Sequence, residues 1–208
     1  RTCDISELIN IDEVLPIATD KSLLKLISNY LGAPARFQKY TLAWSNRTAT
    51  PEPINPQKFH RDRDDFKTLQ LFIYLSDVGE YDGPHQYVPG THNMEILQNK
   101  YDINNISIGL KHCFLHPDEL KQVLGKSDPN ILTLKGSAGS AFLEDTGGFH
   151  RGTVPKEAGS SRLMLGITWS LSKGTGFVNI GCNQIKSIMN NKELTNELDL
   201  PQKYALWL

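Results

Sequence analysis

Phe66-Lys67-Thr68-Leu69-Gln70-Leu71-Phe72-Ile73-Tyr74-Leu75 is the stretch that decides the fold class. β-Branched and aromatic residues dominate it. Gln70, Phe72 and Tyr74 recur at a two-residue interval, which puts them on one face of a pleated strand. The same texture returns on either side in shorter pieces. Upstream, Phe37, Tyr40, Leu42 and Trp44 mark a strand that stops before a proline-rich loop, Pro51 to Pro56. Downstream, Asp82-Gly83-Pro84 is turn chemistry, and Gln86-Tyr87-Val88 is a short strand closed by Pro89-Gly90. Ile131–Leu134, Ser140–Leu143 and Leu163–Ser170 read as three further strands separated by glycine-containing turns. Short strands at intervals of about 8–12 residues predict a β-sandwich or barrel.

Helices belong to the ends. The first forty residues read as helical, most clearly where apolar side chains at 23, 24, 26, 27, 30 and 31 follow Asp20 with a 3.6-residue period. Asp20 is the expected N-cap, and Gly32 with Pro34 the expected stop. Residues 96–130 are mixed and polar, with a short helix around Asp118–Leu124 behind Pro117. The tail from Asn191 to Leu208 returns to helix-like composition interrupted by Pro201. No internal repeat divides the chain. It reads as one domain over 1–208, with helical support over about 1–35, a β core over about 36–175 and an extension over about 176–208.

Bulk composition excludes several classes. The longest apolar runs are strand-sized, far below the ~18 residues of a membrane span. Across 208 residues, 22 Lys and Arg balance 23 Asp and Glu. A net charge of -1 gives no electrostatic argument for nucleic acid or an anionic membrane. Cys3, Cys113 and Cys182 are odd in number and widely spaced, so they form neither a disulfide framework nor a metal pair. Cys113 and Cys182, with no adjacent base, read as buried or inert thiols, and the cysteine pattern suits a reducing compartment. No secretion signal is visible near Arg1, and a cytoplasmic location is the expectation.

Phe59-His60-Arg61-Asp62 carries the chemistry. On extended backbone, residues i and i+2 share a face, so an imidazole and a carboxylate converge on one point. A second imidazole, His150, sits in Gly147-Gly148-Phe149-His150-Arg151-Gly152. Two neutral imidazoles and one carboxylate form the facial triad of non-haem iron(II) oxygenases, with coordination positions left open for cosubstrate and O2. Arg162, at the start of the following strand, can point into the same barrel and grip a carboxylate bidentately. Such a grip suits the far end of a dicarboxylic 2-oxo acid whose other end chelates iron.

These blocks, His60-Arg61-Asp62, then FIYLSDVGEYDGPHQYVPGTH (72–92), then GSAGSAFLEDTGGFHRGTVP (136–155) with Arg162, resemble the phytanoyl-CoA dioxygenase family. The resemblance covers about residues 58–170. It implies a double-stranded β-helix, the cupin-like jelly-roll, mainly β with flanking helices. It also implies Fe(II), 2-oxoglutarate and O2, with hydroxylation of an aliphatic C–H in a small-molecule substrate and release of succinate and CO2. By motif match His60, Asp62 and His150 become the metal ligands and Arg162 the 2-oxoglutarate clamp. Thr153 takes the place of a clamp-assisting hydroxyl, which many relatives carry one residue earlier, where this chain has Gly152. Tyr74 matches an aromatic lining the cosubstrate pocket. Because Asp62 is present where halogenating relatives have Ala or Gly, hydroxylation or desaturation is implied instead.

Other residues take plainer readings. His85, His92, His112 and His116 read as surface or satisfied core histidines, with His92 the one placed to line a pocket. Arg63, Asp64 and Asp65 read as surface ion pairs, and Arg61 as facing away from the ligands. Phe37, Trp44, Phe72 and Phe142 read as core aromatics and Trp207 as a helix anchor. Two rival functions remain: a jelly-roll module that binds metal or 2-oxo acid without turnover, and a hydrolase or isomerase using Zn²⁺ or Mn²⁺ on the same ligands. Arg162 has no task in the last of these.

Overall fold

The computed structural model describes residues 2–4, 11–47, 53, 55–62, 65–101, 114–125, 129–171 and 196–206. The long central strand, β3 (Thr68–Tyr74), lies in a five-stranded antiparallel sheet. In order across that sheet come β1 (Thr2–Asp4), β2 (Arg36–Asn46), β8 (Ser161–Ser170), β3 and β6 (Ala141–Glu144). A three-stranded sheet orders β5 (Leu132–Leu134), β4 (His85–Tyr87) and β7 (His150–Gly152). An isolated bridge between His60 and His150 adds the extended segment at 59–60 to the open side of β7. Two antiparallel sheets face each other in the double-stranded β-helix arrangement, as expected.

Strand parity assigns every side chain to one of two environments. On β3, Leu69, Leu71 and Ile73 face outward. On β8, Leu165, Ile167 and Trp169 do the same, joined by Phe37, Tyr40 and Leu42 of β2 across the sheet. A register shift between Phe37 and Lys39 absorbs the one extra residue in β2. Two helices cover this apolar face: α1 (Ile11–Ala18) through Val14, Leu15 and Ala18, and α2 (Lys21–Leu31) through Leu24, Ile27 and Leu31. Asp20 caps α2 by accepting from Leu23 N at 2.8 Å. Gly32, at φ 82, ends it with its N–H on Ser28 O. Trp169 Nε1 donates to Ala18 O, which pins the helical layer to the sheet.

A second cluster lies outside the small sheet. There Phe59, Val88 and Phe149 pack with α3 (Met94–Tyr101) and α4 (Pro117–Val123) through Leu97, Leu120 and Leu124. A third, of Phe72, Tyr74, Val78, Met164 and Phe142, fills part of the space between the sheets. The rest of that interior is polar, and it holds the site.

Several expectations need correction. The N-terminal segment is not helical throughout: β1 pairs with β2 over residues 2–4, too short a run to announce itself. Trp44 is 46% exposed at the far end of β2, beyond the helices, and is not a core aromatic. Pro201 does not interrupt the tail helix α5 (Leu200–Ala205). It occupies the first turn, where a missing N–H costs nothing, behind the Asp199 cap. Arg63, Asp64, His112, Cys113, Cys182 and Trp207 lie outside the described residues, as does the side chain of Cys3.

Candidate metal centre

His60 and His150 stand directly opposite one another and exchange both backbone hydrogen bonds, each 2.9 Å. Opposed residues on extended chains project to the same face, and the ring centroids are 4.2 Å apart. Two residues along, Asp62 returns to that face while its N–H donates to Thr146 O at 2.8 Å. Asp62 Oδ1 lies 3.8 Å from His60 Nε2 and 3.9 Å from His150 Nε2. The three ligand atoms lie within 4.8 Å of one another. Arg61 points the other way, its Nε donating to Gly147 O and its guanidinium over the Phe149 ring.

The protonation chemistry suits a cation. His60 Nδ1 is 2.9 Å from Lys58 O and His150 Nδ1 is 2.9 Å from Gly148 O. Carbonyls accept only, so each Nδ1 carries the proton and each Nε2 turns a lone pair toward the shared point. Burial, first among the causes, and then the neighbouring His60 push the His150 imidazole down. Burial works to raise the Asp62 carboxyl, but His150, His60, Lys39 and the Thr146 hydroxyl outweigh it and hold it below its usual range. Two imidazoles that present Nε2 and one carboxylate make a donor set suited to a divalent first-row metal with open positions. No other group of three such side chains is gathered among the described residues.

Residues 145–148 form the turn that orients two of these candidate ligands, Asp62 and His150. Thr146 holds Asp62 through its carbonyl and its hydroxyl, and Gly148 O holds His150. Asp145 caps the turn by accepting from Gly147 N, and it accepts from the Tyr30 hydroxyl of α2 at 2.5 Å.

Arg162 lies deeper in the same interior and is 3% exposed. Its Nη1 donates to Gly83 O, its Nη2 to Ser45 Oγ at 3.2 Å, and its Nε has no partner. Burial lowers it to about 10, which leaves it a cation at neutral pH. No described carboxylate pairs with it, although a buried guanidinium calls for an anion. Gly152 makes room for it, since a Cβ there would strike the guanidinium. Tyr74, 1% exposed, donates its hydroxyl to Leu134 O at 2.8 Å and accepts from His85 N at 3.1 Å, tying the two sheets together beside Arg162. Thr153 is not brought to the guanidinium: its hydroxyl donates to Pro84 O at 2.9 Å. Ser45, opposite Arg162 in the register of β2 and β8, is the hydroxyl that meets it.

Two further interior residues carry no motif. His85 is 2% exposed and Glu144 6% exposed, with His85 Nε2 2.8 Å from Glu144 Oε2. Burial, then the nearby Arg162, drives His85 down to about 3. Burial, opposed by His150 and aided by the charges of Asp62 and Asp145, drives Glu144 up to about 8. His85 is therefore neither a surface histidine nor a satisfied one, because its Nδ1 has no partner. The other histidines fit plainer roles: His92 Nδ1 is 3.1 Å from the Tyr87 hydroxyl, and His116 starts α4. A charged residue at an inward parity position, as Glu144 is after Phe142, was the signal available in sequence. Ser45 gave none, because its role depends on cross-strand register.

No protein-family model matches the chain and no curated protein matches its sequence. Solved structures do match its fold. SnoN, a non-heme alpha ketoglutarate dependent epimerase from nogalamycin biosynthesis, superposes with a TM-score of 0.57 at 18% identity, over 81% of this chain and 61% of SnoN. EctD from S. alaskensis, solved with 2-oxoglutarate and 5-hydroxyectoine, gives 0.54 at 14% identity, over 84% of this chain and 57% of EctD. HygX from Streptomyces hygroscopicus, solved with nickel and 2-oxoglutarate, gives 0.52 at 15% identity, over 86% and 72%. The chain thus spans about three fifths of the length of SnoN and EctD. Fold and site together define a jelly-roll protein with a two-histidine, one-carboxylate centre. Its fold is similar to the folds of SnoN, EctD and HygX.

Proposed function

We propose that this chain is an Fe(II)- and 2-oxoglutarate-dependent dioxygenase of the phytanoyl-CoA dioxygenase type. In this reading it hydroxylates an aliphatic C–H of a small molecule and releases succinate and CO2. One observation carries this reading: a buried, anionless Arg162 shares the barrel interior with three converging metal ligands. A zinc hydrolase on the same ligands has no use for that cation, whereas a dicarboxylic 2-oxo acid has a carboxylate to offer it.

His60, Asp62 and His150 hold the iron, with Asp62 offsetting part of its charge. Arg162 and Ser45 take the far carboxylate of 2-oxoglutarate. Tyr74 walls the pocket, and Thr153 steadies the Gly83-Pro84 turn that backs the guanidinium. When bound, iron and 2-oxo acid together supply an oxidant from O2 able to break an unactivated C–H bond. Packed aromatics, Phe72 and Phe142, keep water from the inner end of the cavity.

The test is succinate release from 2-oxoglutarate by the Fe(II)-loaded protein under O2. The parent is expected to release succinate even without its prime substrate, and a substrate found by screening is expected to gain one oxygen atom. His60→Ala and Asp62→Ala should each lower turnover by at least about a hundredfold while the fold persists. Full activity in either variant with iron still bound would refute the ligand set. Tight metal binding with no turnover in the parent would favour the non-catalytic module.

A further inference from the structure

His85 lies between the two ends of the site. On one side its ring stacks over His150, centroids 5.7 Å apart at 21°. Towards the other end, its cross-strand partner on β7 is Gly152, the residue whose missing side chain admits the Arg162 guanidinium. Its own N–H donates to Tyr74 Oη. Phe72, 4.8 Å away, and Phe142, 5.3 Å away, fix the ring plane, and Glu144 fixes its rotation through Nε2. Only Nδ1 is left over, buried and without a partner. Folding around a polar atom shut off from water and unpaired is disfavoured unless a ligand completes it. A dicarboxylic 2-oxo acid reaching from the ligand set to Arg162 must pass this imidazole.

We infer that His85 is a cosubstrate-binding residue whose Nδ1–H donates to the bound 2-oxo acid, with Glu144 as the positioning residue that holds its ring. The inference rests on the reading above that the barrel takes 2-oxoglutarate. Glu144 Oε2 is held by the ring, and its Oε1, buried and without a hydrogen-bond partner, lies 3.6 Å from His150 Nδ1.

The test is a calorimetric titration of the Ni(II)-loaded full chain with 2-oxoglutarate, run on the parent, His85→Leu and His85→Asn. Nickel affinity is measured in parallel. His85→Leu keeps the bulk and removes the donor, and is expected to weaken 2-oxoglutarate about tenfold, the scale of one hydrogen bond to a charged group. His85→Asn carries an amide nitrogen on Cγ, as histidine carries Nδ1, and should recover to within about threefold of the parent. Nickel affinity should stay at the parent value in both. The inference is overturned if His85→Leu binds 2-oxoglutarate like the parent. It is equally overturned if both variants weaken alike together with loss of nickel, which would mean a packing role. If the parent itself takes up no 2-oxoglutarate, the functional reading fails first and this inference with it.

Discussion

Gly152 has no side chain to place, yet the position of Arg162, the proposed clamp, depends on it, because any Cβ there would occupy the space of the guanidinium. Gly152→Ser should therefore displace Arg162 and weaken 2-oxoglutarate by about tenfold or more while sparing metal affinity, as separate titrations would report. Glu144 makes a second prediction, about pH. Its carboxyl rises from 4.5 to about 8 in the folded state, so between those values the folded protein keeps a proton that the unfolded chain has lost. Its contribution to stability is fully present below pH 4.5 and is lost as pH rises through about 8. In the metal-free protein, Glu144→Gln should gain on the parent from about pH 5 to about pH 8.5, by roughly 5 °C in Tm. An unchanged gap across that range in thermal melts would contradict the buried, protonated carboxyl. The two kinds of residue also differ in legibility. His60 and Asp62 could be read because i and i+2 spacing is local. Ser45 and His85 could not, because each acquires its partner from a strand many residues away.

The elements that position the site are a helix and a turn. Tyr30, near the end of α2, reaches Asp145, whose turn supplies the carbonyls that orient His150 and Asp62. Burial, with the Asp145 carboxylate beside it, holds the Tyr30 hydroxyl protonated and donating. Removing that hydroxyl by Tyr30→Phe should cost about 1 kcal/mol of stability and loosen metal binding several-fold. Lower stability with parental metal affinity would make the contact structural only. α2 was fully legible, its cap, period and stop all being local signals. The strand β7 was not: three residues among glycines carry no period, and only pairing with β4 and with His60 makes them a strand. β1 escaped for the same reason; α1 falls within the first forty residues, read as helical, whereas α3 lies in a stretch whose apolar periodicity is too brief to separate from a loop.

Across the whole molecule, one alternation does two jobs. Outward residues of the large sheet bury themselves under α1 and α2, and inward residues build a polar chamber that the same packing keeps rigid. The phase of that alternation was legible in Gln70, Phe72 and Tyr74, and it foretold a barrel. The order of strands across the sheets was not, since it depends on long-range pairing. In the proposed function this chamber gathers His60, Asp62 and His150 on one side of one iron with room left for a chelating 2-oxo acid. Anaerobic titration of the protein with Fe(II) and then 2-oxoglutarate tests it most directly, followed by visible absorbance. A metal-to-ligand charge-transfer band is expected that saturates at one equivalent and is absent in His150→Ala. Iron bound at one equivalent with no band on adding 2-oxoglutarate, or an undiminished band in His150→Ala, would contradict it.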